Sequence, residues 1–289
     1  MTPCDLVKGS VRLVSLPEVY AKVVQALEDP ASSMADIGRV LSQDPALAAR
    51  LLKIANSPFY GFPSRIDSIP RAVTVIGEKN LRELVLIASV GDVITRIAGN
   101  LMDMTAFWRH STYCGVAARA LGRKCGIVSV DALFVAGLLH DVGRLLILTK
   151  LPEMARGAYL RPLDERQHLC DVEREILGFH HGEVGGELLR IWALPESICE
   201  AVQHHHEPAQ ARTAPLVAAV IHVADALARH AHPLQLTHGA FPPSKDTVPS
   251  MDEHALRLTG LTNPDVLTVM ADVETQLGDL LGVLLPKAA

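Results

Sequence analysis

The 289-residue chain is 49% apolar and 20% charged, a balance that suits one large or two ordinary folded domains and excludes a disordered composition. Its formal charge of -5, with no block of Lys and Arg, excludes a general nucleic-acid binder, because phosphate contacts need clustered cations. The five cysteines (Cys4, Cys114, Cys125, Cys170, Cys199) include no CxxC pair, so neither a disulfide framework nor a zinc knuckle is expected, and the thiols read as reduced.

The first twenty residues lack the continuous apolar core of a signal peptide. No later run reaches the ~18 charge-free apolar residues of a membrane span, so a soluble, cytoplasmic protein is expected. Apolar residues recur at three- and four-residue intervals and aromatics are only 4%, which predicts an all-α fold. "SSMADIGRVLSQ" (32–43) reads as a short helix opened by serine. "DPALAARLLKIANS" (44–57) is a helix capped by Asp44, with Pro45 in its first turn. "NSPFYGFPSRIDSIP" (56–70) carries four Pro or Gly breakers and is predicted to be a structured loop able to recognise a partner or to seal a small bundle. Gly77 then separates a short helix from a longer one bearing Leu81, Leu84, Val85 and Ala88.

A boundary is placed at 95–105, around Gly99-Asn100, because all 13 histidines lie at or beyond His110. Helical patterns recur at 105–124, 130–150, 170–179, 181–194, 195–205 and 214–230. Residues 230–250, rich in Pro, Thr and His, read as an exposed connection, and a last amphipathic helix begins at Asn263-Pro264. Trp108 and Trp192 are taken as packing residues.

"GLLHDVGRLL" (137–146) sets His140 and Asp141 inside the most apolar helical stretch. A lone histidine there is ordinarily a hydrogen-bonded core residue, but two adjacent ionisable groups are costly to bury without a partner. Successive helical residues point about 100° apart, so the pair converges on one centre only near a helix end, which Val142-Gly143 is expected to mark. His110, His181, the run His204-His205-His206 and Asp225 lie in other helical segments. Imidazole mixed with carboxylate suits a divalent transition metal. The triple-histidine run leaves open which of its members are ligands. His222, three residues before Asp225, is either a further ligand or a group orienting the site.

The order H, HD, H, HH, D, with HD in "GLLHDVGRL", resembles the HD superfamily of metal-dependent phosphohydrolases. Within it the chain is most similar to the HDOD family, the HD-related output domain of bacterial signalling proteins. "LPEV", "DPALAARLLKIANSPFYG", "IDSIPRAVTVIGEKNLRELVL", "HGEVGGELLRIWALPESICEAVQHHHEP" and "IHVADALA" carry that likeness over roughly residues 12–232. The resemblance implies an all-α fold in two lobes: an N-terminal lobe (10–98), an HD-like metal-binding lobe (99–232), and C-terminal helices (251–285) packed on the body. It also implies one or two divalent transition ions (Fe, Mn, Zn or Ni). His110, His140, Asp141 and Asp225 would hold one, and His181 and His205, with His206, a second. Asp141 and Arg144 are the candidate catalytic residues.

The function implied is a cytoplasmic regulatory module acting on a signalling protein partner or a nucleotide-like ligand, with no membrane or nucleic-acid partner. The alternative is an active phosphohydrolase on a nucleotide or phosphoester. Two departures bear on the choice. No Gly-Tyr-Pro element follows the histidine run, which argues against cyclic-dinucleotide hydrolysis, and Arg144 stands where the related phosphodiesterases carry lysine. Arginine holds a phosphate but does not donate a proton. The bland reading of Arg144 is a helix-end cation beside C-terminal carbonyls.

Overall fold

The computed structural model describes residues 1–98, 102–161, 168–232 and 249–284, and every regular element among them is helical. By contacts the chain divides into two compact units. One comprises 15–93 with the described part of 278–289, the other 1–14 with 94–277.

Pro3–Lys8 (α1) and Val11–Val14 (α2) open the chain, α1 behind a reciprocal cap between Thr2 and Asp5. Glu18–Glu28 (α3), Met34–Ser42 (α4), Pro45–Ala55 (α5), Ile69–Ile76 (α6) and Glu78–Ala98 (α7) follow. Their starts obey local rules. Ser33 and Asp36 form a capping box on α4, and the Asp44 carboxylate accepts from the amides of Ala46 and Leu47 on α5. Ile37, Leu41, Leu51, Ile54, Val73 and Ile76 are buried and build this unit's core. The loop after α5 is pinned by Asn56, whose side chain donates to the Ile66 carbonyl at 2.7 Å and accepts the Ile66 amide at 2.8 Å. Gly77 turns the chain between α6 and α7 at φ 76°, a conformation that disfavours any side chain.

The other unit contains Met104–Lys124 (α8), Val130–Leu139 (α9), Val142–Lys150 (α10), Pro152–Tyr159 (α11), Leu169–Leu177 (α12), His181–Ile191 (α13), Glu196–Gln203 (α14), Pro215–Ala231 (α15), Glu253–Thr259 (α16) and, as far as residue 277, Asn263–Leu284 (α17). Sequence periodicity does not single out α11. The cap of α17 also lies one residue earlier than expected: Thr262 and Asp265 form it reciprocally, and Asn263 is already helical. Gly99-Asn100 and residues 233–248 of the expected connection lie outside the described residues.

The apolar run 130–150 is the one stretch among the described residues long and apolar enough to cross a membrane, yet 83% of it is buried inside the protein. It is two helices rather than one. The chain leaves α9 at His140 and re-enters a helix after Asp141, which holds φ -99° and ψ 5°. The break therefore falls on the dipeptide itself, and Val142-Gly143 begins α10 where an end was expected. Trp108 and Trp192 are buried, as packing residues should be, and the Trp192 indole donates to the Val14 carbonyl at 2.7 Å, docking the N-terminal turn.

Glycines set the closest approaches. A Cβ on Gly137 would stand 2.8 Å from the Cys114 carbonyl and from the Gly115 Cα, so α8 and α9 pack backbone against backbone. Gly143 is held likewise against the His181 carbonyl and the Gly185 amide, which locks α10 onto α13. Glu200 serves a helix other than its own. Its carboxylate accepts the amides of Arg212, Thr213 and Ala214 at 2.6, 2.7 and 2.8 Å, capping α15, whose own N-cap residue, Ala214, has no side-chain acceptor.

Gly137→Ala should lower unfolding stability by about 1–3 kcal/mol through overpacking, read as a fall in the urea midpoint at unchanged slope. Glu200→Gln should lose about 1.5–3 kcal/mol at neutral pH. Burial works against the Glu200 carboxylate, but the three amides outweigh it and hold its pKa below the usual range. A carboxylate with a depressed folded pKa stabilises above its unfolded value and loses that contribution as pH falls through the folded one. The stability gap between wild type and Glu200→Gln should therefore close on acidification below the ordinary glutamate range, as measured by thermal unfolding against pH.

Candidate metal centre

Five segments of the second unit bring their polar side chains to one buried place. His110 comes from α8, His140 and Asp141 from the α9–α10 break, His181 from the first residue of α13, His205 and His206 from the turn after α14, and Asp225 from the middle of α15. His110, His140, Asp141, His181, His205 and Asp225 are fully inaccessible, and His206 is half-buried. Ionisable groups of this kind are almost never buried together without a compensating charge.

The atoms fall into two overlapping sets. In the first, His110 Nε2 and His140 Nε2 are 3.3 Å apart and lie 3.5 and 3.4 Å from Asp225 Oδ1. Asp141 Oδ2 lies 3.6 and 3.5 Å from the same two nitrogens. A tetrahedron with bonds of 2.0–2.1 Å has edges of about 3.4 Å, so these spacings suit one cation. In the second set, His181 Nε2 is 2.8 Å from His206 Nε2 and 3.2 Å from Asp141 Oδ1. His205 offers a nitrogen within 4.8 Å of both His181 and His206, and within the same limit of His140 and Asp141. Asp141 thus turns one oxygen to each set.

The other ring nitrogens decide what these atoms are. Nδ1 of His110, His140 and His205 donates to the carbonyls of His232, Gly137 and Val202 at 3.0, 2.7 and 2.6 Å. Nδ1 of His181 meets Glu173 Oε2 at 2.5 Å. With the proton on Nδ1, a neutral imidazole presents a bare lone pair on Nε2. Lone pairs that face one another at 3.3 Å, as those of His110 and His140 do, repel unless a proton or a metal ion stands between them. His206 Nε2, 2.8 Å from His181 Nε2, either donates its own proton there or shares a metal ion with it. Asp141 Oδ2, Asp225 Oδ1 and Nε2 of His205 also lack a hydrogen-bond partner. Each of these orphaned acceptors would gain its missing partner from a cation, so the donor set fits a divalent transition metal.

Electrostatics agree. Burial works against ionised Asp141 and Asp225, yet Arg144 and the neighbouring imidazoles hold Asp141 well below the usual carboxylate range, and Arg229 with His110 and His140 does the same for Asp225. Burial, reinforced by neighbouring imidazoles, keeps His205 and His206 well below the ordinary histidine range and therefore neutral. Burial alone would also lower His140, but Cys114, Asp141 and Asp225 outweigh it and raise it well above that range. Without a metal, a proton on His140 takes over part of the cation's role.

Arg144 is buried in the first turn of α10, with Nε 2.9 Å from Asp141 Oδ1. The reading as a cation beside C-terminal carbonyls is overturned, because the helix starts at Val142. His222 is not within the metal-facing sets. Its Nε2 accepts the Asp252 amide at 3.0 Å, so its Nδ1 donates to the His205 carbonyl at 2.8 Å, and it orients the site. His204 sits outside both sets.

Sequence reasoning passed over Glu173. It is fully buried and accepts both the amide and the Nδ1–H of His181. The signal was there: Glu173 lies three residues after Cys170, on the apolar face of an amphipathic helix, where a carboxylate needs a partner. His180 was also missed. It caps α13 through Nδ1, and burial pushes its pKa down to about 3.

A family model for the HDOD domain matches residues 13–208. An uncharacterized protein of Treponema pallidum is 29% identical over 199 residues, covering 66% of this chain. The chain spans only 37% of that curated relative. Among solved structures, an HDOD domain protein of unknown function from Geobacter sulfurreducens superposes with a TM-score of 0.70 at 24% identity, covering 97% of this chain and 96% of that one. A provisionally assigned phosphohydrolase from Shewanella amazonensis gives 0.73 at 22%, covering 97% and 98%. A provisionally assigned signal transduction protein from Marinobacter aquaeolei gives 0.66 at 18%, covering 96% of this chain and 61% of that one. At these identities the structural matches establish the fold, and with the family match over most of the sequence they establish that this chain belongs to the HDOD family.

Proposed function

We propose that the chain is a cytoplasmic regulatory module of a bacterial signalling system that carries an HD-type metal centre and acts by binding a protein partner or a nucleotide-like ligand. The facing Nε2 lone pairs of His110 and His140, together with the unpartnered Oδ2 of Asp141, carry the metal half of this reading. His110, His140, Asp141 and Asp225 would hold one ion. His181, His205 and His206 would hold a second, with Asp141 between them. A divalent transition ion bound there would supply Lewis acidity and positive charge. Residues 10–98 would then be the lobe bearing the family's N-terminal signature, 99–232 the lobe bearing the ligands, and 251–285 the helices that complete it.

The signalling half is supported by the family and by the assignment given to the Marinobacter aquaeolei protein. Arg144 favours binding over turnover. Burial would lower its pKa, but Asp141 and Glu173 raise it further, so the guanidinium keeps its protons and cannot serve as the acid that releases a leaving group. The alternative, a phosphohydrolase on a nucleotide or phosphoester, is favoured by the completeness of the His/Asp set and by the name given to the Shewanella amazonensis protein.

Protein purified without chelator should contain one or two equivalents of Fe, Mn, Zn or Ni by elemental analysis, and Asp141→Ala should abolish them. Metal-free wild type would sink the site. His206→Ala should remove only the second equivalent, while Glu173→Gln should weaken metal binding by about 10–100-fold through loss of the group that orients His181. Assays over a panel of nucleotides and phosphoesters, with Mn or Fe added, should show no turnover. Turnover that Asp141→Ala eliminates would establish the phosphohydrolase instead.

A further inference from the structure

The loop "NSPFYGFPSRID" lies in the unit formed around 15–93, and the metal centre makes no use of it. With the C-terminal half of α5 it lines an open cavity of about 880 Å³, within the range of small-molecule sites. The loop is preformed, because Asn56 ties its two ends together through the Ile66 main chain.

Four features of the wall suit a small-molecule ligand. Ser57 is 6% exposed, and its hydroxyl is buried without a hydrogen-bond partner. Phe62 stacks one face parallel to Tyr60, at 6.3 Å and 4°, and stays partly accessible. Lys53 and Arg65 are exposed cations on the wall. Lys53 donates to the Gly282 carbonyl, and an ammonium keeps two further N–H groups for an anion. Asp67 is the single acid among the lining residues. The charge is local: residues 45–75 hold Arg50, Lys53, Arg65 and Arg71 against Asp67 alone, in a chain of net charge -5.

We propose that this cavity binds a nucleotide-like small molecule, with a flat aromatic base on Phe62, an anionic phosphate on Lys53 and Arg65, and a sugar hydroxyl on Asp67. Aromatic faces stack any base, and a carboxylate is the usual acceptor for a ribose hydroxyl. The Ser57 hydroxyl supplies the buried polar contact that fixes orientation. The inference deepens the ligand-binding half of the reading above and is independent of its metal half, since the two sites draw on different residues.

Full-length protein labelled with ¹⁵N, titrated with AMP, GMP, CMP and UMP, should show saturable amide shifts confined to residues 49–67 for at least one of them. Arg65→Glu should weaken that binding by at least about tenfold, the worth of one charge-assisted hydrogen bond. Ser57→Ala should weaken it by a similar or smaller factor with no loss of thermal stability, because an unpartnered hydroxyl contributes nothing to the fold; a serine that served only the fold would behave the other way. Removing metal with EDTA should leave the shifts in place, so failure of the metal reading does not mask this one. Absence of shifts at 49–67 with all four nucleotides, or shifts that persist unchanged in Arg65→Glu, or shifts that vanish with EDTA, would each overturn the assignment.

Discussion

Asp141 is buried with one oxygen facing the imidazoles of His110 and His140 and the other facing His181. An ionised carboxylate there is costly unless positive charge meets it. Arg144 meets one side, and the Nε2 atoms crowd the other with lone pairs that themselves demand a cation. Much of the second unit can be read as the means of holding this one unfavourable group in place. The α9–α10 break aims it, and the glycines at 137 and 143 let α8 and α13 come close enough to bring their histidines to it.

The histidines are held from behind. Carbonyls of His232, Gly137 and Val202 and the Glu173 carboxylate fix four tautomers, and His222 fixes the His205 main chain in turn. This outer ring is drawn from α9, α12, α14 and α15, and α12 supplies no inner atom, so the site's geometry depends on a helix outside the ligand set. Glu200 plays an analogous part in the backbone by capping α15, the helix that carries Asp225.

The all-α class was legible because helical periodicity and caps are local, and Ser33, Asp44 and Gly77 act within a few residues of where they stand. The candidate ligands were legible as types: imidazoles and carboxylates set among apolar neighbours. Less legible were the exact break at His140-Asp141, the helix α11, and the roles of Glu173 and His222. Each depends on a partner far along the chain. Glu173 reads as an ordinary amphipathic-helix acid until His181 is placed against it.

The sequence by itself determined the helices, the family likeness and the supply of metal-capable side chains, because propensity, capping and composition are short-range properties. Only the tertiary structure decided that Asp141 turns one oxygen to each of two clusters, that Nε2 rather than Nδ1 faces inward, and that His204 is left outside. Those outcomes follow from close helix contacts and from hydrogen bonds between residues up to 122 positions apart, which no local pattern encodes.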